Sequence, residues 1–267
     1  MPILTLLLVA IVQGVTEFLP VSSSGHLVLL PALTGRDDQG LAIDVAAHVG
    51  TLGAVVLYFW PDVKQALRGI PQLFRARIED RGGYLALALL VATVPVILAG
   101  LALKLSGLDA NLRSVAVIGW TTLIFGLVLF WADRTGPSTR RAGEWTLRHA
   151  LIMGLWQVIA LIPGTSRSGI TITGARRLGY AREDAARLAM LMSIPTILAS
   201  GALLSLDVIG QADLALARDA AIAAAFSLVA ALLALKLMFR LLKSVSFTPY
   251  VVYRVCLGLA LLTYAYA

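Results

Sequence analysis

The chain has 267 residues, 59% of them hydrophobic and 14% charged, with a mean hydropathy of +0.86. Soluble domains carry about a quarter charged residues, so an ordinary soluble fold is excluded, and the apolar runs are too continuous for the alternating strands of a membrane β-barrel. The formal charge of +7 does not point to nucleic acid, because Lys and Arg gather in loops between apolar runs, where positive loops stay in the cytoplasm and can touch anionic head groups.

Residues 3–19 read as an apolar helix ended by Pro20. No basic n-region or cleavage site precedes it, so no removable signal peptide is expected. Residues 21–31 are small and polar, then apolar, and too broken for a lipid-facing span. Residues 41–60 form a span closed by Trp60-Pro61. A basic amphipathic connection follows over 61–83, with Lys64, Arg68, Arg75, Arg77 and Arg81. Spans over 84–104, with a kink expected at Pro95, and over 113–132 lead to a basic loop at 133–148. The pattern then restarts. Residues 149–162 are apolar and break at Pro163-Gly164, and a second half-helix carries Arg176, Arg177 and Arg182 near its end. Spans follow at 185–206, 219–239 and 249–267. Cys256 is the one cysteine, so neither an intramolecular disulfide nor a cysteine metal cluster is available; it is expected to serve packing.

Loop charge sets a parity. The loops at 61–83, 133–148 and 240–248 are rich in Lys and Arg and are assigned to the cytoplasm; those at 105–112 and 207–217 are nearly free of them and are assigned outside. Residues 149–182 must then enter and leave on one side, as a re-entrant hairpin, and residues 1–40 form a second hairpin open to the outside. The expected fold is all-α and polytopic, a single integral-membrane domain over 1–267 with six transmembrane helices and two re-entrant helical hairpins. It is expected to be an inverted repeat of about 1–132 and 149–267 joined by a cytoplasmic loop. A shift of about 144 residues places Gln13 on Gln157, Ser22 on Ser166, Ser24 on Ser168, Gly25 on Gly169 and Ser23 on Arg167. Broken helices of inverted repeats that meet at the midplane build anion sites.

The chemistry concentrates in the two breaks. Glu17 is an ionisable group inside an apolar helix, where a charge costs about 2.5–3.5 kcal/mol on insertion scales. Gln13 lies four residues before it, on the same helix face. Glu17 can act as a base, as a metal ligand or as the group that orients His26. Ser22 or Ser23 can cap a half-helix, whose N-terminus offers free N–H groups to an anion. Ser23, His26 and a carboxylate within ten residues can activate an oxygen nucleophile. In the second break, Gly164 and Gly169 let backbone approach a ligand. Thr165, Ser166 and Ser168 donate hydrogen bonds, and Arg167 offers a fork that matches phosphate oxygens. A purely structural Arg167–Glu17 pair is the competing reading. Ser24 and Gly25 complete the candidate binding set. His48 and Asp44, four apart on the first full span, and Arg176 and Arg177, read as marking the cytoplasmic rim, stay outside it.

The Gln13–Glu17 pair, the run Pro20-Val21-Ser22-Ser23-Ser24-Gly25-His26 and the run Pro163-Gly164-Thr165-Ser166-Arg167-Ser168-Gly169 resemble the undecaprenyl-diphosphate phosphatase family, known for bacitracin resistance. The likeness covers essentially the whole chain. It implies hydrolysis of a polyprenyl diphosphate carrier lipid to the monophosphate, which recycles the carrier for cell-wall synthesis. It also implies residence in the bacterial inner membrane, a site open to the periplasm, and often a homodimer. Position by position, Ser23 matches the proposed nucleophile, His26 the general acid/base, Glu17 an essential carboxylate and Arg167 the phosphate clamp. The first position of the paired-carboxylate motif is Gln13 here, which weakens any model with two carboxylates on one metal. A single carboxylate with phosphate oxygens can still bind Mg²⁺ or Ca²⁺. Two alternatives stay open: a water activated by His26 in place of Ser23 as nucleophile, and a flippase of polyprenyl phosphate in place of an enzyme.

Overall fold

A computed structural model describes residues 2–34, 40–107, 112, 114–208 and 214–267. The described residues are helical, in the order α1 (Ile3–Thr16), α2 (Ser23–Thr34), α3 (Leu41–Tyr58), α4 (Trp60–Phe74), α5 (Arg81–Ser106), α6 (Val115–Thr135), α7 (Leu147–Val158), α8 (Arg167–Arg177), α9 (Arg182–Val208), α10 (Leu214–Leu241) and α11 (Thr248–Tyr266). Six of these are long and apolar enough to cross a membrane: α3, α5, α6, α9, α10 and α11. The protein is a polytopic α-helical membrane protein. The sparsely charged loops read at 105–112 and 207–217 lie largely outside the described residues.

Local chemistry explains where the helices begin. Ser114 caps α6 by accepting from the Val117 amide at 3.2 Å, and Thr146 caps α7 through the His149 amide at 3.2 Å. Asp80 caps α5 through the Gly83 amide at 2.8 Å. That backbone bond, with the Gln72 side chain, holds the Asp80 carboxyl below its usual pKa. Arg182 opens α9 instead of closing the preceding half-helix, which ends at Arg177. Glu183 and Asp184 follow in the first turn of α9, where carboxylates suit the helix dipole.

The remaining apolar helices come as two short pairs, each broken at a motif. α1 has 14 residues and α7 has 12, about 18–21 Å at 1.5 Å per residue, against a hydrocarbon core of about 30 Å. α1 ends at Thr16, earlier than Pro20, because the chain turns over residues 17–21 before Ser23 starts α2. Each pair packs across the molecule: α1 lies against α10, and α7 lies against α5. Glycines permit this closeness. A Cβ on Gly14 would sit 2.6 Å from the Ser227 carbonyl, and one on Gly154 2.4 Å from that of Ala92.

At the end that carries α4, Asp133 ties several elements together. Its side chain is buried and accepts from Arg176 Nε at 3.1 Å and Arg182 Nε at 2.8 Å. Arg176 also reaches the carbonyls of Gly136, Pro137 and Tyr180. Arg176 is therefore a buried clamp, and the reading of it as a rim residue is corrected: its guanidinium is almost fully enclosed. Arg177 does lie outward, over the Trp131 ring at 4.2 Å. Cys256 is exposed on α11, so the packing role expected of it is also corrected.

Candidate active site

The two breaks are built alike. Ser22 and Ser166 both have left-handed backbones, with φ of 73° and 71°, a conformation uncommon outside glycine. Each side chain caps the helix that follows: Ser22 Oγ accepts from the Gly25 amide at 3.4 Å, and Ser166 Oγ from the Gly169 amide at 3.2 Å. Each hydroxyl also meets another two residues on, Ser22 with Ser24 at 3.2 Å and Ser166 with Ser168 at 3.1 Å. The backbone cost, of order 1–3 kcal/mol per site, is offset by the caps and by the packing around them.

The first residues of the two second half-helices, Ser23 and Arg167, converge on one carboxylate. Arg167 Nη2 donates to Glu17 Oε1 at 2.6 Å, and Ser23 Oγ donates to Glu17 Oε2 at 2.7 Å. Gln13 Nε2 supports the same Oε2 at 2.8 Å, as its four-residue spacing predicts. Arg167 is steadied from behind by the Ser193 carbonyl at 3.1 Å. A cavity of about 160 Å³ opens on this cluster, lined by Glu17, Ser22, Ser23, Ser24, His48, Ala160, Ser166 and Arg167. Hydroxyls, a carboxylate, an imidazole and a guanidinium thus face one small space beside two helix N-termini. Such a space can hold phosphate oxygens by charge-assisted hydrogen bonds.

Other predicted site residues stand behind this wall. Gln13 and Thr165 are fully buried. Ser168 Oγ donates to the Leu19 carbonyl at 2.9 Å, so it fastens one break to the other. The glycines answer to packing before any ligand. A Cβ on Gly164 would meet Thr121 Oγ1 at 2.2 Å, one on Gly25 would meet Ile118 at 3.4 Å, and one on Gly169 would meet Arg254 Nη1 at 2.9 Å. His26 departs from expectation as well. Its Nδ1 bonds the Ser22 carbonyl at 2.7 Å, and its Nε2 meets the Tyr253 hydroxyl at 2.5 Å, with the rings stacked. A carbonyl only accepts, so Nδ1 carries the proton and Nε2 accepts from Tyr253. Glu17 is not among the partners of this ring; the Ser22 carbonyl and Tyr253 orient it.

The imidazole on the cavity wall is that of His48, set aside in the sequence reading. Its Nδ1 bonds the Asp44 carbonyl at 2.8 Å, and its Nε2 lies 3.8 Å from Glu17 Oε2. Spacing from Asp44 gave no hint of this, because the Asp44 backbone is the partner. Arg254 was missed too, although a lone arginine in an apolar run is itself a signal.

A resident divalent cation does not fit these side chains. Among the described residues no three of His, Cys, Asp and Glu gather where a metal could sit. Both oxygens of Glu17 are taken by donors, one of them Arg167, whose charge opposes a cation there. Among the described residues, the side-chain oxygens of Gln13 and of Gln157, its counterpart in the other break, are both buried and unpartnered. No step below is routed through a metal.

Comparison with known proteins agrees in extent with the motifs. The family model described as "Bacitracin resistance protein BacA" matches residues 6–260. A Roseobacter denitrificans protein named undecaprenyl-diphosphatase is 69% identical over 267 residues, all of both chains. A Dinoroseobacter shibae protein of the same name is also 69% identical over the full length of both. A Saccharophagus degradans protein, again so named, is 42% identical over 98% of this chain and 97% of its own. With the family model matching residues 6–260 and relatives 69% identical over the whole chain, this chain belongs to the BacA bacitracin resistance protein family.

Proposed function

We propose that the chain hydrolyses undecaprenyl diphosphate to undecaprenyl phosphate and inorganic phosphate, recycling the carrier lipid for cell-wall synthesis and thereby conferring bacitracin resistance. The observation that carries this reading is the meeting of Ser23 and Arg167 on Glu17. An incoming diphosphate takes Arg167 from the carboxylate, because its oxygens compete for the same fork. Glu17, relieved of its cationic partner, accepts the Ser23 proton. Ser23 Oγ attacks the terminal phosphorus, and the bond from that phosphorus to the bridging oxygen breaks. Undecaprenyl phosphate departs with the electron pair and with the proton that Glu17 took from Ser23, which leaves the carboxylate free again. Water then attacks the phosphoserine, giving its proton to Glu17 in turn, and inorganic phosphate leaves as Ser23 regains its hydrogen. Arg167 and the N–H groups of both breaks stabilise the charge on the equatorial oxygens. His26, on the Tyr253 side of the break, serves the mouth of the site. A Mg²⁺ or Ca²⁺ ion, in this reading, enters as a counter-ion of the diphosphate.

The same proposal places the two short helix pairs as re-entrant hairpins of an inverted repeat, about 1–132 and 149–267. Their length and their identical serine turns support this. It places the chain in the bacterial inner membrane with the cavity toward the periplasm, as loop charge suggests, and allows a homodimer.

Phosphate release from undecaprenyl diphosphate in detergent tests the reading. Catalysis needs no second compartment, whereas a flippase does. Wild type should release phosphate, Arg167→Ala should not, and Ser23→Ala should lose at least about 10³-fold. A Ser23→Ala protein with most of its activity excludes the phosphoserine, and a wild type that moves lipid between leaflets but releases no phosphate overturns the enzyme reading.

A further inference from the structure

Arg254 lies in the middle of α11 and is fully buried. Among the described residues its five hydrogen-bond partners are all peptide carbonyls. Nε donates to Thr122 at 3.1 Å, Nη2 to Thr165 at 2.8 Å, Gly164 at 3.2 Å and Thr121 at 3.5 Å, and Nη1 to Pro20 at 3.5 Å. These carbonyls belong to α6, to the first break and to the second. A buried charge held only by dipoles is expensive, and a neutral packing residue would fill the same space at lower cost. What the guanidinium adds is a rigid planar fork that reaches three chain segments at once.

We infer that Arg254 is a positioning residue for the hydrolysis, fastening the two broken segments to α6 and so setting how Ser23 and Arg167 face one phosphate. Pro20 stands three residues before Ser23, and Gly164 and Thr165 stand just before Arg167. A shift of either carbonyl therefore moves a group that touches substrate. Gly126 and Gly169 leave room for the side chain: a Cβ on Gly126 would lie 3.1 Å from Arg254 Cβ, and one on Gly169 2.9 Å from Nη1. Lysine cannot replace the fork, because a single ammonium has one centre and these carbonyls lie on both sides of it. The inference rests on the proposed phosphatase reading, but its geometry can be tested without catalysis.

The test uses Ser24→Cys with Ala160→Cys, two positions on the cavity wall, in a Cys256→Ser background, and reads the yield of cross-linking by a short bifunctional thiol reagent. Arg254→Lys and Gly126→Ala are each added to this pair. Gly126→Ala displaces the guanidinium without changing its chemistry, and serves if Arg254→Lys does not fold. Cross-linking should fall several-fold in either. Separately, in the wild-type background and well below the unfolding temperature, kcat should fall about a hundredfold for Arg254→Lys, with KM changing far less. Unchanged cross-linking in a folded variant overturns the inference whatever the activity, and so does a wild-type kcat in folded Arg254→Lys. If wild type itself releases no phosphate, the phosphatase reading fails while cross-linking still decides the role of Arg254 in spacing the breaks.

Discussion

Ser166 illustrates how much one side chain does here. Its backbone sits at φ 71° and ψ 109°, where glycine would be easier, yet its hydroxyl caps α8 and meets Ser168. Ser166→Gly should cost little stability, since relief of the backbone offsets loss of the cap. Ser166→Ala keeps the backbone cost and loses the cap, and should destabilise by about 1 kcal/mol or more. Thermal unfolding in detergent separates the two, and equal losses would contradict the account. In the proposed mechanism Glu17 is the residue on which the chemistry turns. Glu17→Gln keeps the shape but cannot accept the Ser23 proton, so kcat should fall by about 10²–10⁴-fold, read as phosphate release.

Between helices, contact distance decides stability. A Cβ on Gly50 would lie 2.1 Å from the Ala224 carbonyl of α10, whereas one on Gly201 meets nothing within 4 Å. Gly50→Ala should therefore cost about 1–3 kcal/mol, and Gly201→Ala should be neutral or favourable by up to about 1 kcal/mol. Asp133→Ala should be more damaging, about 3–5 kcal/mol, because it strands the buried Arg176. The Asp80 cap adds a pH dependence. A carboxyl lowered in the folded state stabilises above its unfolded pKa of about 3.9 and loses that contribution as pH falls through its lower folded value, so α5 should fray only in strong acid. At this level the sequence was most legible. Long apolar runs and the proline and glycine breaks located every span to within a few residues, because hydrophobicity and backbone constraint are local. The serine and arginine motifs were also readable, as polar groups in oil advertise themselves. His48 and Tyr253 were not. Their roles depend on which face of one helix meets another, and neither spacing nor composition encodes that. The packing behind the glycines was not legible for the same reason: their neighbours include α6 and Arg254, more than forty residues away along the chain.

For the molecule as a whole, the two helix pairs brace different partners, α1 on α10 and α7 on α5. The proposed sidedness rests on loop charge and can be measured. Single cysteines at Gly143 and at Ser114, each in a Cys256→Ser background, should react with a membrane-impermeant thiol reagent from opposite faces, the first only after access to the cytoplasm. Labelling of both from one side would overturn the proposed topology.

The matching turns at Ser22 and Ser166 have one more implication. Two places in the chain share a backbone, a cap and a hydroxyl partner, but the next residue is an alcohol at one and a cation at the other. In the proposed mechanism, strict duplication would furnish two nucleophiles or two clamps, and neither combination can both attack a phosphorus and hold its oxygens. A single divergence at equivalent positions turns a symmetrical frame into a pair of unlike tools, with no alteration to the scaffold that presents them.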